Sequence, residues 1–286
     1  VRRDVRPFAA VLLIFAACLS LRLGEYFVLR TDQTFWTEAF VHKLAGIALL
    51  FSALHYFRLR TADIGWPRRG IARGMAMGAG FGAALYAAVY TLEMLWLAAQ
   101  GEAPALEVYV SAYSVHGNIG RQTAWIFFLI CALGNVINVT MEEGVFRGLF
   151  PRLLQARYRF LPAAVFSALL FGVWHAVAPL RAWSDGEMTA MAAALQALLL
   201  VFTTALIGFK FALLTRLTGN LYFAMGDHFA NNFIINILHM TTRSGTDEWL
   251  GIRIAVAQGI SFLLVSVCYA AVADRTETGR RLSWRE

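Results

Sequence analysis

The chain has 286 residues, of which 59% are hydrophobic and 15% are charged. A soluble domain of this length carries more charge, so the proportions exclude one and indicate a polytopic membrane protein. The net charge of +7 does not point to nucleic acid, because the basic residues gather at alternate ends of apolar stretches.

Eight stretches are long enough to be membrane-crossing helices of about 20 residues: 7–28, 38–57, 71–98, 123–150, 160–180, 190–214, 219–240 and 250–273. The third and fourth exceed one crossing and are expected to tilt or project. The short alternating strands of an outer-membrane barrel do not occur. The expected fold is all-α: one integral membrane domain over 1–286, a bundle of about eight helices.

The first stretch follows "VRRDVR" and reads as a signal anchor. It holds Cys18, which with Cys131 and Cys268 reads as a buried structural thiol, since the three fall in separate spans. His42 and His55 in the second stretch have ordinary structural readings, as do His116 in a loop and His239 near a helix end. Basic segments ("RLRTADIGWPRRGIAR", "RGLFPRLLQARYR", the region of Lys210 and Arg216, "DRTETGRRLSWRE") alternate with acidic or mixed loops, which places both termini in the cytoplasm. Nearly all of the positive charge is expected to serve this orientation.

The fourth stretch ends in "TMEEGVFRGLF". Each Glu or Arg near mid-bilayer costs roughly 2.5–3.5 kcal/mol on insertion scales. Glu143 and Arg147 are one turn apart and are expected to pair. Glu142 points about 100° away, without a partner at helical spacing. A buried lone carboxyl of this kind is the raw material of a general base, whereas a helix end in the headgroups would leave all three groups solvated. Asn135 and Asn138 share the face of Glu142. In the fifth stretch, "LLFGVWHAVAP" carries Phe171 and His175 one turn apart. In the seventh, "GDHFANNFIIN" carries His228, Asn232 and Asn236 on one face, with Asn231 beside them and Asp227 needing a partner. Asn and His also act as simple adhesive between membrane helices.

Depth relates the three segments. Counting 1.5 Å per residue from the expected cytoplasmic ends puts Glu142 roughly 18 Å, His175 roughly 21 Å and His228 roughly 12 Å into a core about 30 Å thick. One shared polar cavity, lined also by Asn135, Asn138, Asn231 and Asn236, is the economical expectation.

In order along the chain, E-E-x-x-x-R (Glu142, Glu143, Arg147), F-x-x-x-H (Phe171, His175) and H-x-x-x-N (His228, Asn232) resemble the CPBP family. These are CAAX prenyl proteases of the Rce1 type and their bacterial relatives, the Abi or bacteriocin-processing proteins. The resemblance spans the fourth to seventh stretches, a catalytic core of about 120–240. It implies a glutamic-type intramembrane endopeptidase in which Glu142 and His175 activate a water, while His228 and Asn232 donate to the oxyanion. Glu143, Arg147 and Phe171 would support these groups. No cofactor or metal is implied, the family being metal-independent. Zinc held by Glu142, His175 and His228 remains the alternative within the enzyme class. The implied partners are the lipid bilayer and a membrane protein or peptide substrate, lipid-modified or not, and no nucleic acid. The Ala- and Arg-rich composition points to a bacterial inner membrane. A proton-coupled transporter or a non-cleaving binder would use similar polar residues.

Overall fold

The computed structural model describes residues 6–36, 38–114 and 117–276, with side chains undescribed at 112–119 and 273–276. His116 and most of the charged ends on which the expected orientation of the termini rests (1–5 and 277–286) lie outside the described residues. The helices are α1 (Pro7–Gly24), α2 (Val41–Phe57), α3 (Ile71–Ala99), α4 (Trp125–Glu142), α5 (Phe150–Leu154), α6 (Phe160–His175), α7 (Val177–Ser184), α8 (Ala190–Thr218), α9 (Tyr222–Ile237) and α10 (Leu250–Thr276). The protein is an all-α membrane bundle. Among the described residues, six helical segments are long and apolar enough to cross a bilayer: Pro7–Gln33, Ile71–Ala99, Trp125–Leu154, Phe160–Ser184, Ala190–Thr218 and Leu250–Val272. The other two expected spans are the shorter helices α2 and α9, of 17 and 16 residues. α9 carries Asp227, His228, Asn231, Asn232 and Asn236, and that polarity sets it apart from a lipid-facing span.

Loops expected on one side of the bilayer touch one another. Arg30 pairs with Asp185, and Arg181 with Asp32 at 2.8 Å. On the opposite side the Leu221 amide donates to the Gly65 carbonyl at 2.9 Å. The expected loop between the third and fourth spans instead contains strands. β1 (Ala105–Val108) pairs antiparallel with β4 (Leu238–Thr241), Leu106 opposite Met240, and β2 (Val110–Ser114) pairs with β3 (Gly117–Gln122). Leu106, Val108 and Val110 supply apolar positions for such a ladder, but β4 lies some 130 residues away, beyond any local signal.

The exterior is apolar: Leu13, Val28, Leu198, Phe202, Leu263 and Val267 are exposed, as suits a surface facing lipid. The interior takes the charge. Arg22, Arg147, Arg181, Lys210 and Arg253 are all buried among the described residues, a larger interior share than the expectation that nearly all of the positive charge serves orientation. Lys210 was expected at a basic membrane surface and is instead fully buried against Asp227.

α3 and α9 approach through small residues. A Cβ added at Gly226 would fall 2.2 Å from the Met75 carbonyl oxygen, and one at Gly78 would fall 2.0 Å from that of Phe223. Backbone opposes backbone there, and neither can yield as a side chain would. Gly226→Ala is expected to destabilise the detergent-solubilised protein by about 1–3 kcal/mol, the usual cost of overpacking. Gly24→Ala, where nothing lies within 4 Å, is the control. Equal thermal melts for the two variants would refute this account of α3–α9 packing.

Candidate active site

Pro151 explains the shape of the helix that carries the two glutamates. It has no N–H to offer the Arg147 carbonyl four residues back, and its ring would clash there. The helix does not continue as α through this point: Glu143–Leu149 form a π-helical turn between α4 and α5. The Ser167 hydroxyl of α6 donates to the Phe146 carbonyl within that wider turn. Glu142 is therefore the last α residue before a local widening, a feature frequent at functional sites.

Glu142 is 3% exposed and both its oxygens are engaged. Oε1 accepts from the Trp174 indole at 3.1 Å. Oε2 accepts from the Asn138 amide at 3.3 Å and lies 3.7 Å from His228 Nε2. The lone carboxyl expected from sequence is thus a held one, and Trp174 is the holder that sequence reasoning missed. The available signal was a tryptophan in an interior helix, since a buried indole N–H needs an acceptor. The far side of Trp174 is occupied as well. The Arg22 guanidinium lies 4.5 Å over its ring, and His42, hydrogen-bonded to Glu25, packs 5.5 Å from it.

Glu143, fully buried, faces the other way. Its Oε1 lies 2.8 Å from His228 Nδ1 and its Oε2 lies 3.4 Å from Arg147 Nε. The Arg147 guanidinium rests 3.8 Å over the Phe171 ring and 5.2 Å from that of Phe211. His228 stacks on the opposite partner, Phe211, with centroids 4.9 Å apart and planes 21° apart. Phe171 thus joins two of the motifs: its ring carries the arginine of the first, and its carbonyl accepts from Nδ1 of His175 in the second at 2.8 Å.

The two histidines are differently committed. A carbonyl only accepts, so Nδ1 of His175 carries a proton and Nε2 of the neutral ring is a bare acceptor. His175 is half-buried and within electrostatic reach of Glu142. Nδ1 of His228 is held by the Glu143 carboxylate, and its Nε2 is the nitrogen that faces Glu142.

The asparagines do not form one stripe. Asn138 reaches Glu142, whereas Asn135 bonds back to the Cys131 carbonyl at 2.9 Å. Asn236 lies beside Cys131, its buried side-chain oxygen without a hydrogen-bond partner among the described residues. Asn232 accepts on Oδ1 from Asn231 at 2.9 Å, which leaves its N–H groups as the end that can face a substrate. Asn231 belongs to a second cluster with Tyr86 and Gln258. Among the described residues no three His, Cys, Asp or Glu side chains are arranged to hold a metal ion.

Residues 122–234 match the family described as type II CAAX prenyl endopeptidase Rce1-like, the family that the motifs resemble. The matched segment contains Glu142, Glu143, Arg147, Phe171, His175, His228 and Asn232, and leaves α1–α3 and α10 outside. The match supports a membrane endopeptidase of the CAAX-protease type in general. No curated protein matches the chain.

Glu143→Gln removes the charge partner of a fully buried arginine. It is expected to cost on the order of 3–5 kcal/mol and to lower the yield of folded protein. A thermal melt equal to that of the wild type would remove the Glu143–Arg147 pair as a stabilising element.

Proposed function

We propose that the protein hydrolyses a peptide bond near the terminus of a membrane-associated or lipid-modified protein or peptide, inside the bilayer. The observation that carries this reading is the meeting of a held carboxylate, Glu142, with two histidines whose free nitrogens can serve it, in a site buried among helices. It is a glutamic-type peptidase in this reading. Glu142 keeps lone pairs beyond those taken by Trp174 and Asn138, enough to accept a hydrogen from water. His175 presents its bare Nε2 as a second acceptor. Together they remove a proton as the water oxygen bonds to the scissile carbonyl carbon.

The carbonyl π electrons move onto oxygen, and that oxyanion is met by donors. Asn232 offers an amide N–H. His228 can donate from Nε2 only when doubly protonated, because Glu143 holds its Nδ1 proton. Both donors come from α9, one turn apart, and are fixed before reaction, which is where such groups gain their effect. Collapse of the tetrahedral adduct breaks the C–N bond, and the proton taken from water passes to the leaving amine. Placement in a bacterial inner membrane with both termini cytoplasmic, and reaction without a metal, are parts of the same proposal.

Comparison of protein termini in membranes of host cells carrying wild type or Glu142→Gln tests the reading by mass spectrometry. Termini that require the wild-type chain are the expected result. Identical termini would move the assignment to a proton-coupled transporter or a non-cleaving binder. His175→Ala is expected to abolish the same cleavage with the chain still inserted, and Asn232→Ala to slow it by about 10²–10³. Cleavage is expected to persist in 1,10-phenanthroline. Loss of activity restored by zinc alone would return the three-ligand alternative.

A further inference from the structure

Behind the site, where α3, α8, α9 and α10 meet, lies a second buried polar cluster that the proposed chemistry does not use. Lys210, fully buried on α8, donates to three acceptors: Asp227 Oδ2 at 2.8 Å, Gln258 Oε1 at 2.8 Å and Ser261 Oγ at 3.1 Å. An ammonium group only donates, so Gln258 must turn its oxygen toward Lys210. Its NH2 then faces the other way and meets Asn231 Oδ1 at 2.7 Å. The Tyr86 hydroxyl donates to the same oxygen. With that oxygen doubly committed, Asn231 turns its NH2 to Asn232 Oδ1 at 2.9 Å. Each amide in the chain is oriented by the one before it, starting from a cation that cannot be reversed. At the end of the chain Asn232 has its oxygen occupied and its N–H groups directed elsewhere.

We propose that Gln258 and Asn231 are positioning residues that impose donor polarity on Asn232, with Lys210 as the fixed charge that sets the direction. The inference rests on the reading of Asn232 as an oxyanion donor. An unrestrained asparagine amide presents oxygen as readily as nitrogen, and oxygen would repel the developing negative charge. The relay removes that choice before the substrate arrives. Aligned amide bonds also polarise one another in a low-dielectric interior, so the terminal N–H becomes a better donor. Asp227 completes the arrangement by pairing the cation, which would otherwise lie buried and uncompensated.

Asn231→Asp tests the relay with almost no change of shape. The introduced carboxylate still accepts from Gln258 and Tyr86 but has nothing to give Asn232, whose NH2 then turns back and leaves its oxygen facing the site. The readout is the initial rate at which wild-type-dependent termini appear in host membranes containing equal amounts of each variant. The expected result is a fall of about 10²-fold, the loss of one oxyanion donor, in a chain that remains folded and inserted. The fall should deepen as pH rises, because a protonated carboxyl can still donate. Gln258→Glu, which accepts from Lys210 but cannot donate to Asn231, is expected to act in the same direction and decides the matter if Asn231→Asp does not fold. Asn231→Asp combined with Asn232→Ala should be no slower than Asn232→Ala alone. Losses that multiply in the double variant would mean that Asn231 acts on something else, and would overturn the relay. So would a wild-type rate for Asn231→Asp beside a slow Asn232→Ala, an outcome that leaves the peptidase reading standing. A wild-type rate for Asn232→Ala, or no wild-type-dependent termini, would remove the donor assignment and the relay with it.

Discussion

The Glu143 carboxylate is the constraint on which the site depends. It is fully buried and lies between Arg147 and His228, so it compensates a cation on one side and orients a ring on the other. Removing either member of the Glu143–Arg147 pair leaves a buried charge without its ion-pair partner, which costs far more than a surface pair contributes. The ion pair with Arg147 is long, and the guanidinium makes up the difference with aromatic faces: Phe171 on α6 and Phe211 on α8. Gly208 makes this packing feasible, because a Cβ there would stand 3.2 Å from the guanidinium and 3.0 Å from the Phe171 ring. Four helices are thereby registered to one another by a single charged group and its neighbours. Glu142 inherits its position from that registration.

Water-soluble proteins hide apolar groups and display charge; this one buries an apolar core too, but it also displays apolar groups and takes several charges inside. Leucine and valine facing lipid lose nothing, while each charge must find its partners within the bundle. Interior polar clusters result among the described residues, three of them involving α9 or α10. One joins Glu142 and Glu143 to His228 and Arg147. A second joins Lys210 and Asp227 to Gln258, Ser261 and Asn231. A third joins Arg253 to Glu93 and Asp247 between α10, α3 and the segment before α10. Asn231 of the second cluster donates to Asn232, which lies one turn beyond His228 of the first on α9, a helix unlike a lipid-facing span. Its polarity, costly in isolation, is what allows it to lie at the centre.

What could be read from the sequence was local. Glu143 with Arg147, Asn138 with Glu142, and Phe171 with His175 are each four residues apart, and helical geometry alone places such residues together. The segregation into apolar spans was legible because it follows from bilayer thickness. The rest depended on tertiary contact. Trp174 reaches Glu142 across 32 positions, and Lys210 reaches Asp227 between two helices. A lysine near a basic helix end gives no sign of being interior. Asn135 gives its amide hydrogen to its own backbone, an alternative always open to Asn in a helix and one that sequence does not announce. The π-helical turn had its cause in plain view at Pro151, whose effect lies on the residues before it.

His175 and His228 show why residue type alone does not assign a role. Both are imidazoles beside the same carboxylate, and both have Nδ1 committed. His175 gives its Nδ1 proton to a backbone carbonyl, which is neutral and only accepts, so the ring can remain neutral with Nε2 open. His228 gives its Nδ1 proton to a carboxylate that is itself paired to Arg147, and is backed by the face of Phe211. The first environment suits a group that takes a proton from water. The second suits one that holds its protons while charge develops opposite it. In the proposed reaction a base and a donor are thus made from one side chain by changing what lies on the far nitrogen. In that reading Glu143, by holding Nδ1, sets what His228 can offer from Nε2.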